Sequence, residues 1–183
     1  RAVAYVIECN RKVLLVKRGI PPFEGRWAIP GGFLKEDEDL EAAARRELKA
    51  EAGLAPAFLE QLATYGAPRR DPRGRVLSVA YFALLDSDGA AKAVAAAGSD
   101  AAEAAWFDAR KPPPLAFDHS AILGYAVERL KWKIDWTTAG FGLVPARFTL
   151  TELQHAFEAA LGRAIDKRNF RRKVLALRVL KAT

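Results

Sequence analysis

At 183 residues and 51% hydrophobic, the chain can bury one good core plus a small satellite domain, and it has neither an apolar run of membrane-spanning length nor a signal-peptide layout. Its single cysteine, Cys9, excludes an intramolecular disulfide and suits a reducing compartment, so a cytoplasmic protein is expected; the opening Arg1, in place of methionine, suits an excerpt of a longer one. The net charge of +7 is segregated: residues 1–130 carry 18 basic and 18 acidic side chains, residues 131–183 carry 11 and 4, and such segregation suggests a polyanion partner.

Along the chain, Ala2 to Ile7 and Lys12 to Lys17 read as strands around the turn Glu8-Cys9-Asn10-Arg11. Trp27-Ala28-Ile29-Pro30 is a further strand, leading into Gly31 and Gly32, where the backbone can turn tightly and expose a carbonyl. Leu40, Ala44 and Leu48 then recur at i, i+4 and i+8, the stripe of a helix packed on a core. Asp37, Glu38 and Asp39 lie at its start, where negative charge suits the macrodipole, and Gly53 is placed as the residue just past its end.

A second face of that helix carries Glu47 and Glu51, four residues apart, with Ala50 between them. Two carboxylates so placed repel each other unless a cation sits between them. Hard oxygen ligands and partial hydration suit Mg²⁺ or Mn²⁺, bridging to substrate phosphates. The bland alternative is a pair of solvated helix glutamates.

Leu59 to Tyr65 and Val76 to Leu85 alternate as strands, joined by the polar turn Arg69-Arg70-Asp71-Pro72-Arg73-Gly74-Arg75. Ala90 to Ala105 is alanine-rich and read as partly loop, Ala104 to Phe107 as a short strand, and Lys111 to Pro114 as a loop. Ala121 to Lys133 reads as a helix, with Ile122, Tyr125, Ala126 and Arg129 at helical spacing. His119 is taken as a loop or core histidine.

The basic end has its own helical grammar. Thr149-Leu150-Thr151-Glu152 is a capping box, with Phe148 and Leu153 placed as a hydrophobic staple. Leu153, Phe157 and Leu161 form an apolar stripe closed by Gly162. After a short turn, Asp166 caps a second helix, Ile165 and Phe170 repeat the staple, and Phe170, Val174 and Leu177 face inward. Two capped helices joined by a tight turn, the second heavily basic, read either as a helix-turn-helix or as a solvated basic cap on the first domain. In the first case Lys167, Arg168, Asn169, Arg171 and Arg172, near the start of the second helix, reach base edges and phosphates.

Gly32, Glu38, Arg46-Glu47-Leu48, Glu51 and Gly53-Leu54 together resemble the Nudix box, G-x5-E-x7-R-E-U-x-E-E-x-G-U, departing from it at Ala50, where a glutamate is expected. The resemblance implies an α/β/α sandwich with a mixed sheet. It also implies metal binding by Glu47, Glu51 and the Gly32 carbonyl, orientation of the glutamates by Arg46, and support of the loop by Glu38. If the site is catalytic these acids and Arg46 carry the reaction, with Glu103 as a candidate late acid. Losing one carboxylate at Ala50 weakens hydrolysis more than ligand binding.

Lys17-Arg18-Gly19, the run from Pro21 to Trp27 and the turn from Arg70 to Arg75 are similar to Nudix domains that handle ADP-ribose. For such a ligand Arg18, Arg70, Arg73 and Arg75 would supply cations, and Phe23, Trp27 or Tyr81 a flat surface. The tail, from Phe148 to Gln154 and from Asp166 to Lys173, resembles the Nudix-related transcriptional regulators (NrtR-like), in which a winged helix-turn-helix follows the Nudix domain. That resemblance adds Thr149, Thr151 and Lys173 to the DNA-binding set and divides the chain into a Nudix domain (1–133), a linker (134–147) and an incomplete winged helix domain (148–183), its wing expected past the chain's end. It implies a homodimeric, ADP-ribose-responsive repressor of NAD-metabolism genes. The alternatives are a Mg²⁺-dependent hydrolase cleaving ADP-ribose to AMP and ribose 5-phosphate, or a hydrolase of damaged nucleotides.

Overall fold

In the computed structural model, residues 2–8, 12–54, 58–85, 101–136 and 138–181 are described. The expected turn at 9–11 and the alanine-rich residues up to 100 lie outside them. One mixed sheet takes in β1 (Ala2–Glu8), β2 (Lys12–Arg18), β3 (Trp27–Ala28), β4 (Gly31–Gly32), β5 (Phe58–Tyr65), β6 (Ser78–Leu85) and β7 (Ala101–Asp108). Its order is β3-β2-β1-β6-β5, with β4 on β1 and β7 on β2. β1 runs parallel to β6 and antiparallel to β2.

The strand period of two divides each strand between two cores. Val13, Leu15, Ala80, Phe82 and Leu84 face one side, and Leu14, Tyr81, Ala83 and Leu85 the other. Helix α1 (Leu40–Ala52) covers the second side with Ala44, Leu48 and Ala52. Helix α2 (His119–Trp136) covers the first. The result is the expected α/β/α sandwich.

Several boundaries shift. β6 begins at Ser78, so Leu77 is exposed beside the turn, and β7 extends three residues further back than Ala104. The buried stripe of α2 runs through Ile122, Leu123, Ala126 and Leu130, whereas Tyr125 and Arg129, expected at the same spacing, are exposed. The apolar residues on this helix outnumber one stripe, so spacing alone does not choose which of them turns inward.

The expected linker is built structure. α2 continues to Trp136, and a 3₁₀ turn follows at Thr138–Leu143. Leu143 and Val144 are buried in the cluster that contains Leu15 and Phe82 from the sheet and Leu153, Phe157 and Phe170 from the last two helices. One apolar core thus runs from the sheet into the C-terminal helices. Gly140 closes the approach, since a Cβ there would run into the Phe157 ring.

Helix α3 (Leu150–Leu161) starts at Thr149, where both arms of the capping box are formed, and ends at Gly162 with φ of 74°. Helix α4 (Lys167–Ala176) is capped by Asp166, which accepts from the Asn169 amide at 2.8 Å. Phe148, Leu153, Ile165 and Phe170, the two expected staples, all join the same cluster. Phe170 and Val174 are buried, but Leu177 is 50% exposed: the helix ends at Ala176, so the inward spacing no longer applies there.

Candidate functional site

Helix α1 brings the acidic residues to the mouth of a cleft of about 250 Å³ between β2, β4 and the turn after β5. Its start is fixed by Asp39, which accepts from Ala42 N at 2.7 Å, and its end by Gly53 in the left-handed region. Glu47 is buried and packs on Gly32, where a Cβ would overlap its carboxylate. Glu51 accepts from the Gly31 amide at 2.8 Å, so the Gly31-Gly32 backbone touches both acids. Ala50 lines the cleft beside them.

Arg46 is the hub of this end. Its guanidinium donates to Glu38 at 2.8 Å, to the Phe33 carbonyl at 3.1 Å, and closely to Glu47. The Arg46 hydrogen bond holds the Glu38 carboxyl down to about 2, helped by the Lys35 amide at 2.9 Å. The same contacts raise Arg46 above its ordinary value. Among the described residues no three His, Cys, Asp or Glu side chains are placed to hold a metal ion together. The glycines expected to form a tight turn are instead strand β4, paired with β1, and two carboxylates beside it fit a partly hydrated hard cation.

The opposite wall is cationic. Arg18 and Arg73 line the cleft and share an aromatic partner, Phe117, at 5.0 and 5.5 Å from the ring centroid. Arg18 donates to the Pro22 and Ile20 carbonyls, and Arg73 to the buried Asp71, which raises the arginine's pKa. Arg73 also lies 5.5 Å from the Phe33 ring.

The other expected ligand residues are placed elsewhere. Arg70 donates both arms to Asp118, at 2.6 and 2.8 Å, and one to Ser78; its side chain is 5% exposed and outside the cleft lining. Arg75 reaches the Gly66 carbonyl at 2.5 Å. Tyr81 is buried beneath α1, and burial pushes its phenol up. Trp27 packs edge-on to Phe107, and Phe23 edge-on to Phe117. Glu103 pairs at 3.4 Å with Lys17, itself a cleft residue. His119 is 2% exposed and accepts from the Ile29 amide at 2.9 Å, a core role. Lys17, Ile20, Phe33 and Phe117 were absent from the sequence-based set. Of these, Phe33 lies inside the box and Lys17 in the quoted Lys17-Arg18-Gly19 segment, whereas Ile20 and Phe117 carried no signal.

At the C-terminal end Lys167, Arg168, Asn169, Arg172 and Lys173 are exposed on α4. Asn169 accepts from Arg172 at 2.9 Å, and Arg171 is half-buried and donates to the Thr151 hydroxyl at 3.2 Å, tying α4 to α3. The Thr149 hydroxyl is engaged by the Glu152 amide. A polar knot missed in the sequence pins the turn between these helices: the Gln154 amide donates to Glu158 and to the Ile165 carbonyl, while Glu158 accepts from the Ile165 amide. The Gln154 bond, then the Ile165 amide, lowers the Glu158 pKa. An acid-and-cation cleft on an α/β/α sandwich, continuous with a capped basic helix pair, defines a nucleotide-diphosphate type of domain joined to a DNA-reading module.

Comparison with known proteins agrees. A model of the NUDIX domain matches residues 1–128, and one of the NrtR DNA-binding winged helix domain matches residues 140–183. The chain is 36% identical over 184 residues to the ADPR responsive transcriptional repressor NtrR of Acinetobacter baylyi, covering 100% of this chain and 73% of that one. It is 43% identical over 132 residues to the ADP-ribose pyrophosphatase of Methanocaldococcus jannaschii, covering 72% and 73%. The crystal structure of Shewanella oneidensis NrtR superposes with a TM-score of 0.85 at 37% identity, covering 100% and 86%; that protein has also been solved with a 27mer DNA and, as its NUDIX domain, with ADP ribose. The chain belongs to the NrtR family of Nudix-domain regulators. Nudix hydrolases generally use divalent metal ions. Among the described residues no helix is long and apolar enough to cross a membrane.

Proposed function

We propose that this chain is an ADP-ribose-responsive repressor of NAD-metabolism genes, acting in the cytoplasm as a homodimer that binds operator DNA through α4. The observation that carries this reading is the pairing, in one chain, of a cleft walled by acids and arginines with a capped basic helix pair. In this reading Arg18 and Arg73 hold the diphosphate, and Glu47, Glu51 and the Gly32 backbone would hold Mg²⁺. Bound, the metal supplies charge neutralisation. Lys167, Arg168, Arg172 and Lys173 meet phosphates and Asn169 a base edge. Supporting it, Shewanella oneidensis NrtR, solved with a 27mer DNA and, as its NUDIX domain, with ADP ribose, is similar to this chain over its whole length in the DNA complex and over 70% of it in the ADP ribose complex.

Repression is relieved by differential affinity: the effector favours an arrangement in which the two α4 helices no longer match the half-site spacing. A mobility-shift titration on DNA from upstream of the chain's own gene tests this. Binding that ADP-ribose with Mg²⁺ does not release would sink it.

A second reading, slow hydrolysis of ADP-ribose to AMP and ribose 5-phosphate, is favoured by the 43% identity to a pyrophosphatase. Water would attack one phosphorus and the bridging oxygen would leave with the other. With alanine at position 50 the cleft has fewer carboxylates for this step than the box pattern provides. If Glu47→Gln leaves an observed rate unchanged, the box is not its source.

A further inference from the structure

Phe117 joins the cleft to the start of α2 and holds a backbone that its side chain disfavours. Its φ is 54°, in the left-handed region where a bulky residue is uncommon and costly. Its ring centroid stands 5.0 Å from the Arg18 guanidinium and 5.5 Å from that of Arg73, the two arginines that back the cleft's cationic wall. Phe23 packs edge-on against it at 4.9 Å and is itself left-handed, with φ of 62°. Strain of this kind persists only where surrounding contacts over-determine it.

The next residue is tied to the same turn as Arg73. Asp118 accepts from both arms of Arg70, at 2.6 and 2.8 Å. The turn thus grips two successive residues immediately ahead of α2, Asp118 through an ion pair and Phe117 through a cation on its ring. Only the second grip is open to the cleft, since Arg73 lines it and Arg70 does not. From there α2 packs through Ile122, Ala126 and Leu130 into the cluster that holds Leu153 and Phe157 of α3.

We propose that Phe117 is the positioning residue through which a diphosphate in the cleft acts on α2 and so on the basic helix pair. The phosphates draw the Arg18 and Arg73 guanidinium groups away from the ring, and the attraction that offsets the left-handed backbone weakens. Phe117 then settles into an ordinary backbone conformation, which moves the start of α2 and the helices packed on it. This inference rests on the reading of the chain as an ADP-ribose-responsive repressor.

The test is the ADP-ribose affinity of the full chain, with Mg²⁺, measured with and without saturating upstream DNA. The ratio of the two affinities reads the coupling, whatever the absolute affinity of a variant, and should be about tenfold or more in the wild type. Phe117→Gly removes the ring and suits the left-handed backbone, so it should bring the ratio to within about twofold of one. DNA binding without ADP-ribose should stay as in the wild type. Phe117→Tyr keeps the ring and should keep the ratio. Phe117→Asn also tolerates the left-handed region and should match Phe117→Gly, standing in for it if thermal unfolding shows the glycine variant to be unfolded. A wild-type ratio retained by the ring-deleted variant, or lost in Phe117→Tyr, overturns the inference and leaves the repressor reading standing. A ratio near one in the wild type overturns both.

Discussion

Glu47 lays its carboxylate against Gly32, so near that a Cβ on the glycine would stand 2.7 Å from Oε2 and closer to the rest of the group. A methyl cannot enter without moving the acid that α1 delivers to the cleft. Gly32→Ala is expected to weaken Mg²⁺-dependent ADP-ribose binding about tenfold or more, since overpacking costs about 1–3 kcal/mol. Calorimetric titration checks it. An unchanged affinity would remove this contact from the site.

Glu38 and Arg46 make the fold sensitive to acid. The Glu38 carboxyl is held at about 2, below its ordinary 4.5, chiefly by the Arg46 hydrogen bond. A depressed carboxylate contributes stability that is full above the unfolded value and lost as pH falls through the folded one. The wild type should therefore lose stability between pH 4.5 and about 2 relative to Glu38→Gln. Denaturant melts at pH 6, 4 and 2.5 measure the gap. A gap independent of pH would mean that the carboxylate is not held as described.

Arg70 is expected to behave as a structural residue. Its buried guanidinium grips Asp118, at the start of α2, and Ser78, at the start of β6. Arg70→Ala should cost about 3 kcal/mol or more in urea unfolding, because it strands the partner of a mostly buried pair. ADP-ribose affinity should stay near wild type in the folded fraction. A loss of affinity without loss of stability would return Arg70 to the ligand set.

On α4 the salt dependence separates roles. Arg168→Ala should lower the slope of log K against log salt by about 0.9, the share of one phosphate contact. Asn169→Ala should instead narrow the gap between operator and unrelated DNA by about 1–3 kcal/mol. Fluorescence anisotropy at several salt concentrations reads both. Identical effects from the two variants would contradict the division.

Much of the fold could be read locally. The Thr149 and Asp166 caps and the Gly53 and Gly162 ends depend on neighbours within a turn, and all four form as the sequence indicates. The strands of the two-sided core follow from alternation. The cleft was legible only in part. Nothing local distinguishes Arg73, which lines the cleft, from Arg70, whose partner lies 48 residues away. Within the stretch expected as a linker, Leu143 and Val144 join the core and Gly140 packs against the Phe157 ring, contacts that no local pattern announces.

The decisive measurement is anisotropy of labelled upstream DNA, titrated with ADP-ribose and Mg²⁺, for the wild type and for Glu47→Gln in parallel. Both proteins should bind the DNA alike, and ADP-ribose should release the wild type while leaving the variant bound. DNA binding that ignores ADP-ribose in the wild type, or release that survives in Glu47→Gln, would contradict the coupling of this cleft to the basic helix.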